Sequence, residues 1–282
     1  MALRPLRPVE LPTATRDVLH TWLGAIEEKL EDPSCDRERL CRDTLLQLYY
    51  PDVTDYEERI ADPAIPAASK ATLMALDPRN VTLEPEYYHE IDPARYARVK
   101  PLLWLWQRFD RSPLGGGNVE AGVRLRRILA RHIFQRCGKQ FKCFQFVEFS
   151  FGYNMQVGDD VVVHRHVLLD DRGGIILGNR VSIADYANIY SHTHSIVNQS
   201  DVTDSTTVLE DGVRITYHAT VLAGVHVGRE SMVGACAVAT RDVRPYHVNL
   251  GIPAKSVRVK PNAPPELEDR LESARRREIQ DS

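Results

Sequence analysis

A six-residue period runs through the second half of this 282-residue chain. Leu209, Ile215, Val221, Val227, Val233 and Ala239 fall at steps of six, and Val213, Ala219, Val225, Ser231 and Ala237 hold the fifth place of each hexad with small or β-branched side chains. With 43% of residues apolar, six apolar hits in six trials arise by chance only about 0.6% of the time. The repeat is therefore real. An even period preserves the two-residue alternation of a strand, and a turn in every hexad bends the chain into a coil, which is the pattern of a parallel β-helix.

The same register extends upstream through Val157, Val163 and Leu169, then restarts after a two-residue slip at Leu177, Ile183 and Ile189. From Ile189 to Leu209 the spacing is three hexads plus two, so a loop around residues 195–207 is expected to leave one coil. Loops thrown from a rigid stack are natural places for chemistry. The expected division is a helical region at 1–148, the β-helix at 149–260 and a charged tail or cap at 261–282.

The first region reads as helical from residue 13 to about 137. Thr13 or Thr15 is the expected cap of a helix whose apolar positions are Val18, Leu19, Trp22, Leu23, Ile26 and Leu30. Further amphipathic stretches lie at 36–50, 67–76, 93–109 and 118–137, separated by Pro, Asp and Gly. The triplet Gly115, Gly116, Gly117 has neither the GxxxxGK[ST] nor the GxGxxG spacing and reads as a linker.

Composition excludes several classes. Thirty-six Lys and Arg face 39 Asp and Glu, a net charge of -3, which does not supply the basic footprint of a nucleic-acid binder. The longest strongly apolar run, 102–106, is far below the roughly 20 residues of a membrane span. The N-terminal residues lack a signal-peptide apolar run, so the chain reads as unexported. Five cysteines, none in a CxxC pair, suggest reduced thiols in a cytoplasm rather than disulfides or a zinc knuckle.

Ordered landmarks then bring a family into view: FGYNMQVGDD at 151–160, LLDD at 168–171, LGNRVSIADYANIYSHTH at 177–194, VLAGVHVGRESMVGACAVATRDV at 221–243 and GIPAKSVRVK at 251–260. Over about 110 residues the chain resembles the hexapeptide-repeat O-acetyltransferases of the maltose, galactoside and nodulation-factor type. The resemblance implies a left-handed parallel β-helix, a homotrimer with sites between subunits, and transfer of acetyl from acetyl-CoA to a sugar hydroxyl. It places the family's catalytic histidine at His194. An imidazole with an ordinary pKa near 6.5 can take the proton of a hydroxyl as it attacks a thioester, so His194 is the expected general base.

The family's acceptor contacts fall on His164, where relatives carry asparagine, and on Asp171. For the cofactor the resemblance points to Gly234, Ala235, Ala237, Thr240, Arg241, Ala254 and Lys255, with Arg214 where tryptophan is common. Small residues there would admit pantetheine, and Arg241 and Lys255 would meet phosphates. Cys236 reads as a packing residue. No metal is expected: the HxxxxH pair of γ-class carbonic anhydrases, which share the fold, is missing, and His164, His166, His218 and His226 do not replace it. Two rival readings are a metalloenzyme of that class and a non-catalytic trimeric scaffold whose helical region does the binding.

Overall fold

The structure, a computed structural model, describes residues 10–115 and 117–267. The expected charged terminal segment therefore lies mostly outside the described residues. Six α-helices open the described chain: α1 (Thr13–Glu31), α2 (Arg37–Tyr49), α3 (Tyr56–Ala61), α4 (Ala67–Met74), α5 (Pro93–Phe109) and α6 (Val119–Ile133). In α1 the stripe Leu19, Leu23, Ile26 and Leu30 is buried, whereas Val18 falls off it and is 68% exposed. Neither Thr13 nor Thr15 caps this helix. Thr13 is its first helical residue, and Pro12 occupies the capping position without a side-chain hydrogen bond. Asp36, Asp55, Asp92 and Asn118 do cap α2, α3, α5 and α6, each accepting a first-turn backbone N–H.

The remainder is a left-handed parallel β-helix of about six turns. Its first face stacks β1 (Arg136–Cys137), β4 (Met155–Val157), β7 (Ile175–Leu177), β12 (Thr207–Leu209) and β15 (His226–Val227). The second stacks β2 (Lys142–Cys143), β5 (Val162–Val163), β8 (Ser182–Ile183), β13 (Arg214–Ile215), β16 (Met232–Val233), β18 (His247–Leu250) and, antiparallel, β19 (Lys255–Val259). The third stacks β3 (Glu148–Phe149), β6 (Leu168–Asp170), β9 (Asn188–Tyr190), β14 (Thr220–Val221) and β17 (Val238–Ala239).

The period-six residues are the inward columns. Val157, Leu177, Leu209 and Val227 line the first face; Val163, Ile183, Ile215 and Val233 the second; Leu169, Ile189, Val221 and Ala239 the third, and all are at most 2% exposed. Register pairs them rung on rung, as Val157↔Leu177↔Leu209.

The β-helix starts at Arg136, ahead of the boundary expected at 149. Cys137, Cys143 and Phe149 already form a hexad series, paired in parallel register with Val157, Val163 and Leu169. Two cysteines and a phenylalanine do not advertise a repeat of aliphatic residues, and a two-residue slip before Val157 hides the phase.

Coils are joined in both directions: Lys142, Phe144 and Glu148 N–H donate to the carbonyls of Val161, Val163 and Val167 on the next coil, and Asp160 and His166 N–H donate back to the carbonyls of Lys139 and Gln145. The equivalent carbonyls of the first coil, on Phe141, Cys143 and Val147, have no coil before them. Helix side chains fill that place: Arg127 Nε donates to Phe141 O at 2.8 Å, Arg126 Nη1 to Cys143 O at 3.0 Å, and Trp106 Nε1 to Val147 O at 2.9 Å. Arg126 is buried against Asp110, which also accepts the Phe146 N–H at 2.6 Å. Trp106 packs edge-on to Phe149, and Phe134 touches both Phe141 and Phe149. Thus α5 and α6 seal the first coil with apolar rings and with hydrogen-bond donors.

Candidate active site

The turn from the third face back to the first is irregular in three successive coils: residues 150–154, 170–174 and 191–206 all exceed the hexad. The last of these carries a hairpin, β10 (His192–His194) antiparallel to β11 (Val202–Asp204), matching the loop expected at 195–207. Inside this corner Ser191 Oγ donates to Asp170 O at 2.5 Å and accepts the Gly173 N–H at 2.8 Å. Thr206 Oγ1 donates to Gly173 O, and Ser205 N–H to Ser191 O. Position 173 must be glycine, because a Cβ there would stand 2.2 Å from Ser191 O and 2.5 Å from Ser205 N. The hairpin is thus braced by the corner of the preceding coil.

His194 is exposed, and its Nδ1 lies 2.7 Å from the carbonyl oxygen of Gln199 across the hairpin. A carbonyl only accepts, so in the neutral ring the proton sits on Nδ1 and the Nε2 lone pair faces outward. His192 is held differently. Its Nδ1 contacts the Asp170 carboxylate, and its Nε2 is 3.1 Å from Arg172 Nη1, a group that only donates. Both His192 nitrogens thus lie against charged side chains. The two rings meet edge to face with centroids 5.3 Å apart. Of the HxH pair, only His194 therefore offers a free basic nitrogen.

The surroundings of His192 are buried and charged. Asp170, with its side chain 5% exposed, also accepts from Ser150 Oγ at 2.8 Å. Arg172 pairs with Glu90, which comes from the segment before α5, and lies 4.2 Å over the Tyr88 ring. Against the burial that opposes ionisation, hydrogen bonds from its own backbone N–H and from Arg172 hold the Glu90 carboxyl below its usual range. Burial, then the charge of Glu90, raises the Asp204 carboxyl. Sequence reasoning missed Asp170, Arg172 and Glu90. The LLDD landmark and the slip after Leu169 marked the first two, while nothing local marks Glu90, 82 residues from its partner.

The acceptor pair expected from the resemblance is not brought together. Asp171 is 0% exposed; its Oδ1 accepts Phe151 N–H at 2.8 Å and its Oδ2 accepts Asn154 N–H at 3.2 Å, so it holds the 150–154 turn and is closed to an acceptor within this chain. Burial pushes its pKa up to about 6, in spite of those N–H donors. His164 follows β5 on the second face, where it stacks on Phe144 with centroids 5.0 Å apart, away from the histidine corner.

The expected cofactor residues divide in the same way. Ala237 is 0% exposed in the inward packing, and Gly234 lies under Leu250, where a Cβ would meet Leu250 Cδ2 at 1.9 Å. Ala237 thus packs inward, and the missing side chain of Gly234 leaves the space that Leu250 fills. Ala235, Thr240, Arg241 and Lys255 are exposed; Ala254 is half-buried and ties its N–H to Val238 O at 2.8 Å. Arg241 and Thr240 follow β17 at the same edge as the histidines, two coils onward. With coils about 4.8 Å apart, that is roughly 10 Å along the axis. Arg214 is exposed on the second face, in β13 between β8 and β16. Among the described residues no group of three His, Cys, Asp or Glu side chains is placed to hold a metal ion, and no helix is long and apolar enough to cross a membrane.

No protein-family model matches the chain. It is 29% identical over 114 residues to a putative acetyltransferase of Schizosaccharomyces pombe, a match covering 39% of this chain and 55% of that one. It is 24% identical over 140 residues to the galactoside O-acetyltransferase of Escherichia coli, covering 48% and 69%. Among solved structures, it is similar to a hexapeptide-repeat acetyltransferase from Vibrio cholerae complexed with acetyl coenzyme A, with a TM-score of 0.52, 22% identity, and coverage of 65% and 98%. The chain thus spans a little over half the length of the first of these relatives and about two thirds of the second.

Proposed function

We propose that this chain, whose β-helix resembles the hexapeptide-repeat acetyltransferases in sequence and in fold, is a CoA-dependent O-acetyltransferase. It moves acetyl from acetyl-CoA to a hydroxyl of a sugar or sugar-like acceptor, with His194 as general base. The observation that carries this reading is the 2.7 Å contact of His194 Nδ1 with the Gln199 carbonyl, which assigns the ring proton to Nδ1 and leaves Nε2 as a proton acceptor. In the reaction the acceptor O–H gives its proton to Nε2 and its oxygen attacks the thioester carbonyl. The C–S bond breaks, and the imidazolium returns the proton to the leaving CoA sulfur. No covalent acyl-enzyme is needed.

Supporting the acyl donor are the acetyl-CoA bound to the Vibrio cholerae relative and the exposed cations Arg241 and Lys255. Supporting the acceptor class is the galactoside named for the Escherichia coli relative. A homotrimer fits the open setting of His194. The tip of its hairpin carries Ile196 and Val197, 102% and 91% exposed, apolar surface that a neighbouring prism would cover. The five unpaired thiols suit the cytoplasm. The test is to incubate purified protein with acetyl-CoA and a panel of sugars while following free thiol release. Acceptor-dependent release is expected, and its absence with every acceptor rejects the reading, whether or not CoA binds.

A further inference from the structure

The helical region reaches into the histidine corner. Tyr88 packs edge-on to Phe151, Asp92 N–H donates to Tyr153 Oη at 2.9 Å, and Arg95 Nη2 donates to Tyr153 O at 2.6 Å. These contacts dock the segment just before α5 onto the 150–154 turn and deliver Glu90 to Arg172. The Arg172 side chain is 7% exposed, too buried to stand without a carboxylate partner.

We propose that Glu90 is a positioning residue for the base: it anchors Arg172, Arg172 fixes His192, and His192 forms the wall against which His194 gains its proton. The proposal rests on the reading of His194 as general base. Its physical content is the charge sum of the cluster. With His192 neutral, Asp170, Arg172 and Glu90 together carry one negative charge, and that charge favours an imidazolium forming on His194, whose ring touches His192. Removing Glu90 makes the sum zero and frees Arg172 to turn. The other ionisable groups facing this cluster are Asp204, opposite His192 in the hairpin register, and the phenol of Tyr88 under Arg172. Asp204 adds to the negative side when ionised, and Tyr88 stays neutral, its pKa pushed up to about 12 by burial and then by its hydrogen bond to Glu84.

The test uses the full chain as wild type, Glu90→Gln and Arg172→Gln, and reads the pH dependence of imidazole C2–H exchange in deuterated buffer by mass spectrometry of the peptide holding His192 and His194. This readout needs no acceptor. Loss of an anion should lower the midpoint of the pair by about half a pH unit, and loss of a cation should raise it. Opposite signs are the signature. A merely structural role loosens the corner in both variants and moves both the same way or not at all, which overturns the proposal. If Glu90→Gln does not fold, Arg172→Gln alone decides, an unmoved or lowered midpoint being the rejecting result. With an acceptor in hand, Glu90→Gln should also cut kcat about tenfold and move the acid limb of kcat/KM to lower pH, with the Kd for CoA unchanged. A wild type that binds CoA yet transfers to no acceptor rejects the transferase reading and leaves the exchange result standing.

Discussion

Two edges of the same prism differ in kind. Where the second face turns into the third, the first four coils are alike: Phe146, His166, Tyr186 and His218 take positive φ of 55–61°, their rings stack at 4.9, 4.8 and 4.9 Å, and Cys236 takes the same corner in the next coil at φ 57°. That spacing is simply the distance between coils. Where the third face returns to the first, eight residues separate Phe149 from Val157 and Leu169 from Leu177, twenty separate Ile189 from Leu209, and only then does the count fall back to six. The even edge carries scaffold; the uneven edge carries Asp170, Arg172, His192 and His194. In this chain the linked acidic, arginine and histidine side chains gather where the coil departs from its own period.

The contrast breaks most sharply at His194. Its replacement by Ala should lower turnover by about 10²–10⁴-fold, with CoA affinity in calorimetry unchanged. Wild-type turnover would remove it from the mechanism. Next comes Gly173→Ala, which drives a Cβ against the Ser191 carbonyl and should destabilise the fold by about 2–4 kcal/mol in urea unfolding. His218→Ala, on the even edge, removes one stacked ring from an exposed ladder and should change stability by less than about 1 kcal/mol. Equal losses at the two edges would dissolve the distinction.

Replacing both Arg241 and Lys255 by Gln should weaken acetyl-CoA binding about tenfold at low salt, with the wild type more sensitive to added salt than the double variant. Asp171 gives the smallest effect. Its pKa is raised above that of an unfolded carboxyl, so its contribution is fully present below about pH 4, the unfolded value, and is lost as pH rises through about 6. The stability advantage of wild type over Asp171→Asn should therefore shrink between pH 4 and pH 7. A constant difference would show that Asp171 does not titrate there.

Legibility followed the same line between regular and irregular. Period six named the inward columns from Val157 to Ala239, and helical spacing named the buried stripe of α1, because each rests on many residues obeying one geometry. The first coil escaped because Cys137, Cys143 and Phe149 keep the phase without the expected residue types. Matching positions to a family pointed to His194, Asp171 and Gly234 alike, but it did not show that Asp171 holds the 150–154 turn or that Gly234 lies beneath Leu250. A motif records which residue occupies a position; only packing records which way it faces. Glu90 left no trace at all, since an ion pair across 82 residues has no spacing to read.

The three donors that Trp106, Arg126 and Arg127 place on the first coil set the order in which this molecule can be built. A stack of parallel strands ends in a row of unpaired carbonyls and N–H groups, and any other strand can add to it. Here the side chains occupying that row are made before the row itself, because α5 and α6 precede the first coil in the chain. During synthesis the lid is therefore present as soon as there is something to cover, and each later coil grows in one direction only. A chain begun at residue 134 would emerge with the row bare, and its natural partner would be the open end of another copy.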